Sequence, residues 1–245
     1  MRTALYLSLP IILLAACTAQ TSQTDINGYW INQAAIDASS KGGSLLDALQ
    51  GHGPVLDWQI DSSAQLASYD NGFETVEGRL TQDAPALWAV NFHGNTVVKL
   101  RRDGKQLLQV GSDYMSQQTF ERVEHASEYM TTSAGFVYAL NRSYLGGTWK
   151  ILHGPGTGDN VQFQPDGTVQ GLPKIGHYAL CLGGDCAAMS GDRDSIWLHS
   201  DGEHRLWLFT RQGKQLEIFQ PKNTAGQGEM PALGQGARQW LLQKQ

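Results

Sequence analysis

The residues best equipped for chemistry in this 245-residue chain cluster around one short segment, Ile196-Trp197-Leu198-His199-Ser200-Asp201-Gly202-Glu203-His204-Arg205-Leu206-Trp207. With Asp201-Gly202 as the turn of a hairpin, Ser200 opposes Glu203 and His199 opposes His204. Directly opposed residues sit within about 5.5 Å at Cβ. Two imidazoles with Glu203 form a donor set suited to a transition metal. The same residues are equally at home on a solvated hairpin tip. That plainer reading is favoured, so no metal site is expected. Trp197 and Trp207 fall on the facing strands of the same hairpin. Turned inward they stabilise the sheet as an aromatic pair; turned outward they make an adhesive patch for a partner. Trp197, Trp207, His199 and His204 are therefore the candidate binding residues.

Other reactive patterns are weaker. No Gly-x-Ser-x-Gly elbow occurs. Gly154-Pro155-Gly156-Thr157-Gly158 lacks the Gly-Lys-Ser/Thr ending of a phosphate loop. Arg101, Arg102 and Lys105 read as a solvated basic face. No catalytic residue and no cofactor is predicted. The chain carries 18 Lys+Arg against 23 Asp+Glu, a net charge of −5. A nucleic-acid binder normally needs the opposite balance, so nucleic acid is not an expected partner. With 41% hydrophobic and 17% charged residues, the composition is that of a folded chain.

The N-terminus reads as a targeting segment. Met1-Arg2 is followed by an apolar run from Ala4 to Leu14, too short for the roughly 20 residues that span a bilayer and suited to a secretory signal. It ends in Leu14-Ala15-Ala16-Cys17, which resembles a bacterial lipobox. The resemblance implies a signal peptide over 1–16 and acylation of Cys17, with membrane attachment through its acyl chains. Thr18, where lipoproteins kept at the inner membrane often carry Asp, implies the outer membrane. Residues 17–24 then form a polar, lipidated tether. In an exported domain the pair Cys181 and Cys186 reads as a disulfide. Its loop is so short that chain entropy contributes only about 2 kcal/mol. A metal or redox pair is the other reading, but the gap differs from Cys-x-x-Cys and no second pair completes a zinc site.

The elements that position these residues are strands. Turn dipeptides such as Asn71-Gly72, Asp103-Gly104, Asp166-Gly167 and Gln212-Gly213 separate strand-like runs, the pattern of antiparallel hairpins. Four stretches recur in order. Ile26-Asn27-Gly28-Tyr29-Trp30 matches Leu145-Gly146-Gly147-Thr148-Trp149. Leu56–Asp61 matches Val161–Asp166, and Val76-Glu77-Gly78 matches Val169-Gln170-Gly171. Arg102-Asp103-Gly104-Lys105-Gln106-Leu107 matches Arg211-Gln212-Gly213-Lys214-Gln215-Leu216. The expected fold is mainly all-β: two tandem small antiparallel barrels or sandwiches related by internal duplication, over 25–123 and 145–245. A helix between Ala34 and Leu49, with Ser44 as N-cap and Gly51 as stop, belongs to the first copy. A partly helical connector covers 124–144.

Gly28 and Trp30, with Gly147 and Trp149, resemble the Gly-x-Trp of lipocalin-like barrels. The second copy from Leu145 to Trp149 is also similar to META-type lipoprotein domains and bacterial protease-inhibitor barrels. The resemblance implies that each Trp closes a barrel floor beneath a basic side chain of the last strand, with Arg122 and Arg238 as candidates. Anchor, repeat and missing catalytic motifs together predict a non-catalytic envelope module that binds a protein, peptidoglycan or a small ligand. A second reading is an inhibitor of an envelope-directed enzyme of protease or lysozyme type. It would insert either the Cys181–Cys186 loop or the Gly154–Gly158 loop. A third is an envelope hydrolase with its site between the copies.

Overall fold

The computed structural model describes residues 25–123, 134–200 and 202–245. Cys17 and its tether lie outside them, as does Asp201. In the first copy, β1 (Gly28–Ile31), β2 (Asp57–Asp61), β3 (Leu66–Asp70), β4 (Thr75–Ala84), β5 (Leu87–Asn91), β6 (Val97–Asp103), β7 (Gln106–Gln109) and β8 (Gln118–Arg122) form a closed antiparallel barrel. The β1–β8 pairing, Trp30 opposite Arg122, seals it. In the second copy, β9 (Gly147–His153), β10 (Asn160–Phe163), β11 (Val169–Gln170), β12 (His177–Leu180), β13 (Ser195–Ser200), β14 (Glu203–Gln212), β15 (Gln215–Asn223) and β16 (Leu233–Lys244) form one eight-stranded sheet. A bridge from Thr168 to His177 brings its two edges together.

The floors of the two barrels are built alike. Trp30 and Trp149 are both wholly buried. The Trp30 indole donates to the Ile26 carbonyl at 2.8 Å and the Trp149 indole to the Leu145 carbonyl at 2.7 Å. Gly28 and Gly147 hold φ of 113° and 110°. Arg102 and Arg122 lie over Trp30 at 4.5 and 4.8 Å. Arg211 and Lys244 lie over Trp149 at 5.9 and 5.5 Å. Cations on ring faces are attracted by the aromatic quadrupole. Arg122 thus takes the expected place, but Arg238 does not. It is exposed and pairs with Glu217 at 2.6 Å. The long β16 carries two bulged registers against β15, and the residue it sets opposite Trp149 is Lys244.

Of the four recurring stretches, the first and last occupy equivalent strands in register. The second occupies equivalent strands two residues out of register, and the third lies in different strands. Gly28 pairs with Ile60 and Gly147 with Phe163, so Ile60 rather than Trp58 is the counterpart of Phe163. Val169-Gln170 forms the third strand of its copy, whereas Val76–Gly78 lies in the fourth of its own. A two-residue slip keeps the same face turned inward, so local pattern alone does not reveal it.

The predicted helix is two helices, α1 (Gln33–Ser40) and α2 (Leu45–Gln50). Ser44 caps α2 by accepting the Asp47 N–H at 3.2 Å. The break falls at Gly42, whose carbonyl accepts the Gly213 N–H at 2.9 Å. A Cβ there would stand 2.9 Å from the Gly213 carbonyl oxygen, so only glycine permits the contact. The connector contributes α3 (Ala134–Tyr144), and α4 (Gly184–Ser190) carries Cys186 in its first turn. No helix among the described residues is long and apolar enough to cross a membrane.

Two cores result. One fills the first barrel with Trp30, Trp58, Leu100 and Phe120. The other is not confined to the second barrel. Ile31, Ile36, Leu45, Leu49 and Leu56 of the first copy join Tyr144, Trp149, Phe163 and Phe209 in a single buried cluster. Asp194, just before β13, fixes this arrangement. It is 6% exposed. Its carboxylate accepts the Leu45 and Leu46 N–H groups at 2.8 and 2.9 Å and the Ser44 hydroxyl at 3.3 Å. Asp194→Ala strands two buried donors, each costing about 1–3 kcal/mol. Urea unfolding followed by tryptophan fluorescence should show a loss of about 3 kcal/mol.

Candidate functional site

The sequence-predicted residues do not gather into one site. Register places His199 opposite His204 and Ser200 opposite Glu203, as expected. The two imidazole rings lie 4.4 Å apart between centroids, with their Nδ1 atoms in contact. Burial, then the charges of His204 and His177, hold the His199 imidazole below its ordinary pKa. Trp197 and Trp207 are not a facing pair. Trp197 pairs with Leu206 and Trp207 with Ile196, so the two indoles point to opposite faces of the sheet. Trp207 is core, 5.3 Å from Trp240. Trp197 shares the outer face with the histidines.

Cys181 and Cys186 are disulfide-bonded. The loop they close is a docking element within the molecule. The Phe73 ring, on the β3–β4 turn of the first barrel, lies where a Cβ on Gly184 would stand, 2.1 Å from the nearest ring carbon. Glycine at 184 is what lets the turn seat. The loop therefore packs in part against the first copy, with Asp185 still exposed. The Gly154–Gly158 loop differs. Pro155 and Thr157 are exposed, and Thr157 donates to the Gly154 carbonyl through its N–H and hydroxyl at 3.1 and 2.6 Å. The Trp240 indole holds the Pro155 carbonyl at 3.2 Å.

Among the described residues, two cavities are bordered by both copies. The larger, about 510 Å³, is bordered by Ser44, Asp194 and Arg211. Its charged groups are committed. Asp194 holds α2, and the Arg211 guanidinium stacks over Tyr144 at 4.6 Å while its Nε–H donates to the Gly213 carbonyl at 3.2 Å. Arg211 Nη1 has no hydrogen-bond partner, as does Nη1 of Arg102, its counterpart over Trp30.

The second cavity, about 380 Å³, is the candidate site. Leu56, Phe73, Phe136, Val137, Leu180 and Leu182 give it apolar walls, and Asp57 and Asp70 supply two carboxylates. The two aspartates are direct cross-strand partners on β2 and β3. Asp70 is well provided for: it accepts the Gly72 N–H at 2.6 Å and the Thr75 hydroxyl at 2.9 Å. Asp57 is in a poorer setting. Burial, reinforced by the Asp70 charge, pushes its carboxyl up to about 7, against the opposing pull of the Phe136 N–H in the first turn of α3. A half-protonated carboxyl on an apolar wall can accept a hydrogen bond, donate one, or pair with a cation. Perturbed groups of this kind cluster at functional sites.

Sequence reasoning missed both aspartates. The available signal was like charge placed directly opposite like charge on adjacent strands, a destabilising arrangement. Such a departure from local rules is expected where a site is retained. Compared with known proteins, the chain matches no family model, no curated protein and no solved structure.

The Asp57 shift has a signed consequence. Its folded pKa, about 7, exceeds the ordinary 3.8. The folded state therefore binds the extra proton between these values, and stability falls as pH rises from about 4 to 7, by up to about 4 kcal/mol at 1.36 kcal/mol per unit. In Asp57→Asn this component is absent. Urea unfolding at pH 4.5 and 7.5 should show the parent losing more stability than the variant across that interval.

Proposed function

We propose that this chain is a lipid-anchored, non-catalytic binding module of a bacterial envelope, and that it takes its ligand at the seam between its barrels. The observation that carries the reading is Asp57, a carboxyl held near pKa 7 on the wall of an apolar cavity. The cavity volume falls in the range of small-ligand sites, which pair apolar walls with a few convergent polar groups. The complementary ligand has an apolar body and a cationic or hydrogen-bond-donating end. A side chain or terminus of a larger partner has the same chemistry. A donor placed on Asp57 supplies the hydrogen bonding that burial removes. The barrel interiors, filled by Trp30, Trp58, Trp149 and Phe163, support a ligand held between barrels rather than within one. The Gly-x-Trp floors fit a lipocalin-like ancestry, and the Cys17 lipobox supplies the anchor.

Matched small probes test the site. Aliphatic or aromatic ammonium compounds should bind in ligand-observed NMR, and the corresponding carboxylates should not. Val137→Trp, which fills the cavity from its exposed rim, should abolish binding, and Asp57→Asn should weaken it about tenfold. Equal binding of both probe classes, or turnover of a generic ester, peptide or glycan at this site, would overturn the reading. The anchor is tested separately. Cys17→Ala should move the protein from the membrane to the soluble fraction, and the mature parent should carry acyl mass on that residue.

One observation favours a second reading, inhibition of an envelope-directed enzyme. The exposed Gly154–Gly158 loop is braced by its own hydrogen bonds and by Trp240. A preorganised loop loses little entropy when it enters an active site.

A further inference from the structure

Three histidines stand abreast on the outer face of the second barrel. His177 on β12 pairs with His199 on β13, and His199 pairs with His204 on β14. They come from three consecutive strands and project to the same side, away from the core that Tyr178, Leu198 and Trp207 share. His177 and His204 are exposed and His199 is partly so. The register, not the flexibility of a tip, brings them together. The backbone ladder that fixes Ser195 opposite Leu208 continues to Ser200 opposite Glu203, so the pair sits in regular sheet.

From this juxtaposition we propose that His199 and His204 chelate one divalent first-row transition-metal ion across the β13–β14 hairpin. The two Nδ1 atoms face each other in contact. Opposed imidazole nitrogens share either a proton or a cation, because two lone pairs directed at one point repel. Metal–imidazole bonds run about 2.0–2.1 Å. A small opening of the two rings gives the ~3.3 Å nitrogen separation that two such bonds subtend at a tetrahedral angle. Imidazole suits Zn(II), Ni(II) and Cu(II), and affinity at such a site rises to a maximum at Cu(II).

Glu203, the third donor suggested by the sequence, is not positioned for this role. It pairs with Ser200, on the alternate face of the strands, and forms an ion pair with Arg205 at 3.7 Å. Among the described residues no three His, Cys, Asp or Glu side chains converge closely enough to hold a metal together. The ion is therefore held by two protein ligands, and water fills its remaining positions. Such a site is open, and the ion on it can accept a further donor from another molecule. The proposal is independent of the seam cavity, since the two sites share no residue.

The test is titration of the untagged full chain with CuCl₂ and ZnCl₂ by isothermal calorimetry at pH 7.5. The reporters are the histidine ring signals in NMR for Zn(II) and the nitrogen hyperfine pattern in electron paramagnetic resonance for Cu(II). One equivalent should bind, Cu(II) more tightly than Zn(II), with two imidazole nitrogens seen on Cu(II). His199→Ala and His204→Ala should each weaken binding at least tenfold and leave the circular dichroism spectrum unchanged. His153→Ala, at the end of β9, should bind as the parent does. His204→Gln, which keeps a polar side chain at the same place, should fail as His204→Ala does. Absence of binding below millimolar metal overturns the proposal. So does binding indifferent to both hairpin variants, or lost equally in His153→Ala.

Discussion

The grip of one buried carboxylate on the start of one short helix makes this molecule a single body. Asp194 is nearly sealed from water, and burial pushes its carboxyl upward while the bonds from Leu46, Leu45 and Ser44 pull it down. An unpaired carboxylate at that depth would cost several kcal/mol. Here two amides that a helix start always leaves unpaired meet an acceptor that has lost its water. Each solves the other's problem. The donors belong to the first copy and the acceptor to the second, so the bond exists only while the copies are docked. Around it, the Tyr144 hydroxyl donates to the Gly43 carbonyl at 3.1 Å and Gly213 bonds Gly42. Release of α2 would expose Leu45, Leu49 and Ile36 together, which ties the cost of opening to a large loss of apolar burial.

The two copies keep what a barrel needs and diverge where they meet. Both retain the buried Trp, its indole bond to the residue four back, the positive-φ glycine and cations over the ring. The difference lies between the first and second strands. One copy inserts α1 and α2 there, and the other turns on the Gly154–Gly158 loop. The insertion supplies the apolar surface that joins the second core, and its counterpart leaves an exposed braced loop. The disulfide loop and the Phe73 turn make a second clasp.

Local features of this fold were legible in the sequence. Hairpin turns, the Gly-x-Trp floors, the Ser44 cap and the disulfide each depend on residues close together in the chain. The His199–His204 facing pair was legible for the same reason, because a two-residue turn fixes register. What escaped required register over longer spans. The last-strand cation over Trp149 is Lys244 rather than Arg238, because β16 runs past Arg238 and brings Lys244 opposite Trp149. Trp197 and Trp207 were paired although the turn places them on opposite faces. Of the middle two repeat stretches, one is slipped by two residues within the same strand and the other falls in a different strand. Asp57, Asp70 and Asp194 were not singled out, since the neighbours that make them unusual are distant in sequence or on the other copy.

Those aspartates show why two similar carboxylates at one seam can have different roles. Asp194 faces three donors that offset part of its burial and of the Asp47 charge, and all three belong to the start of α2, so its role is architectural. Asp57 faces Asp70, whose own lone pairs are already engaged by Gly72 and Thr75. It is left with the Phe136 amide and an apolar wall. A proton relieves that situation near neutral pH, as would a donor brought by a ligand. Compensation within the fold marks the first as structure. Compensation that arrives from outside, in competition with a proton, is the physical signature of a binding group, and it distinguishes the smaller cavity from the larger one beside it.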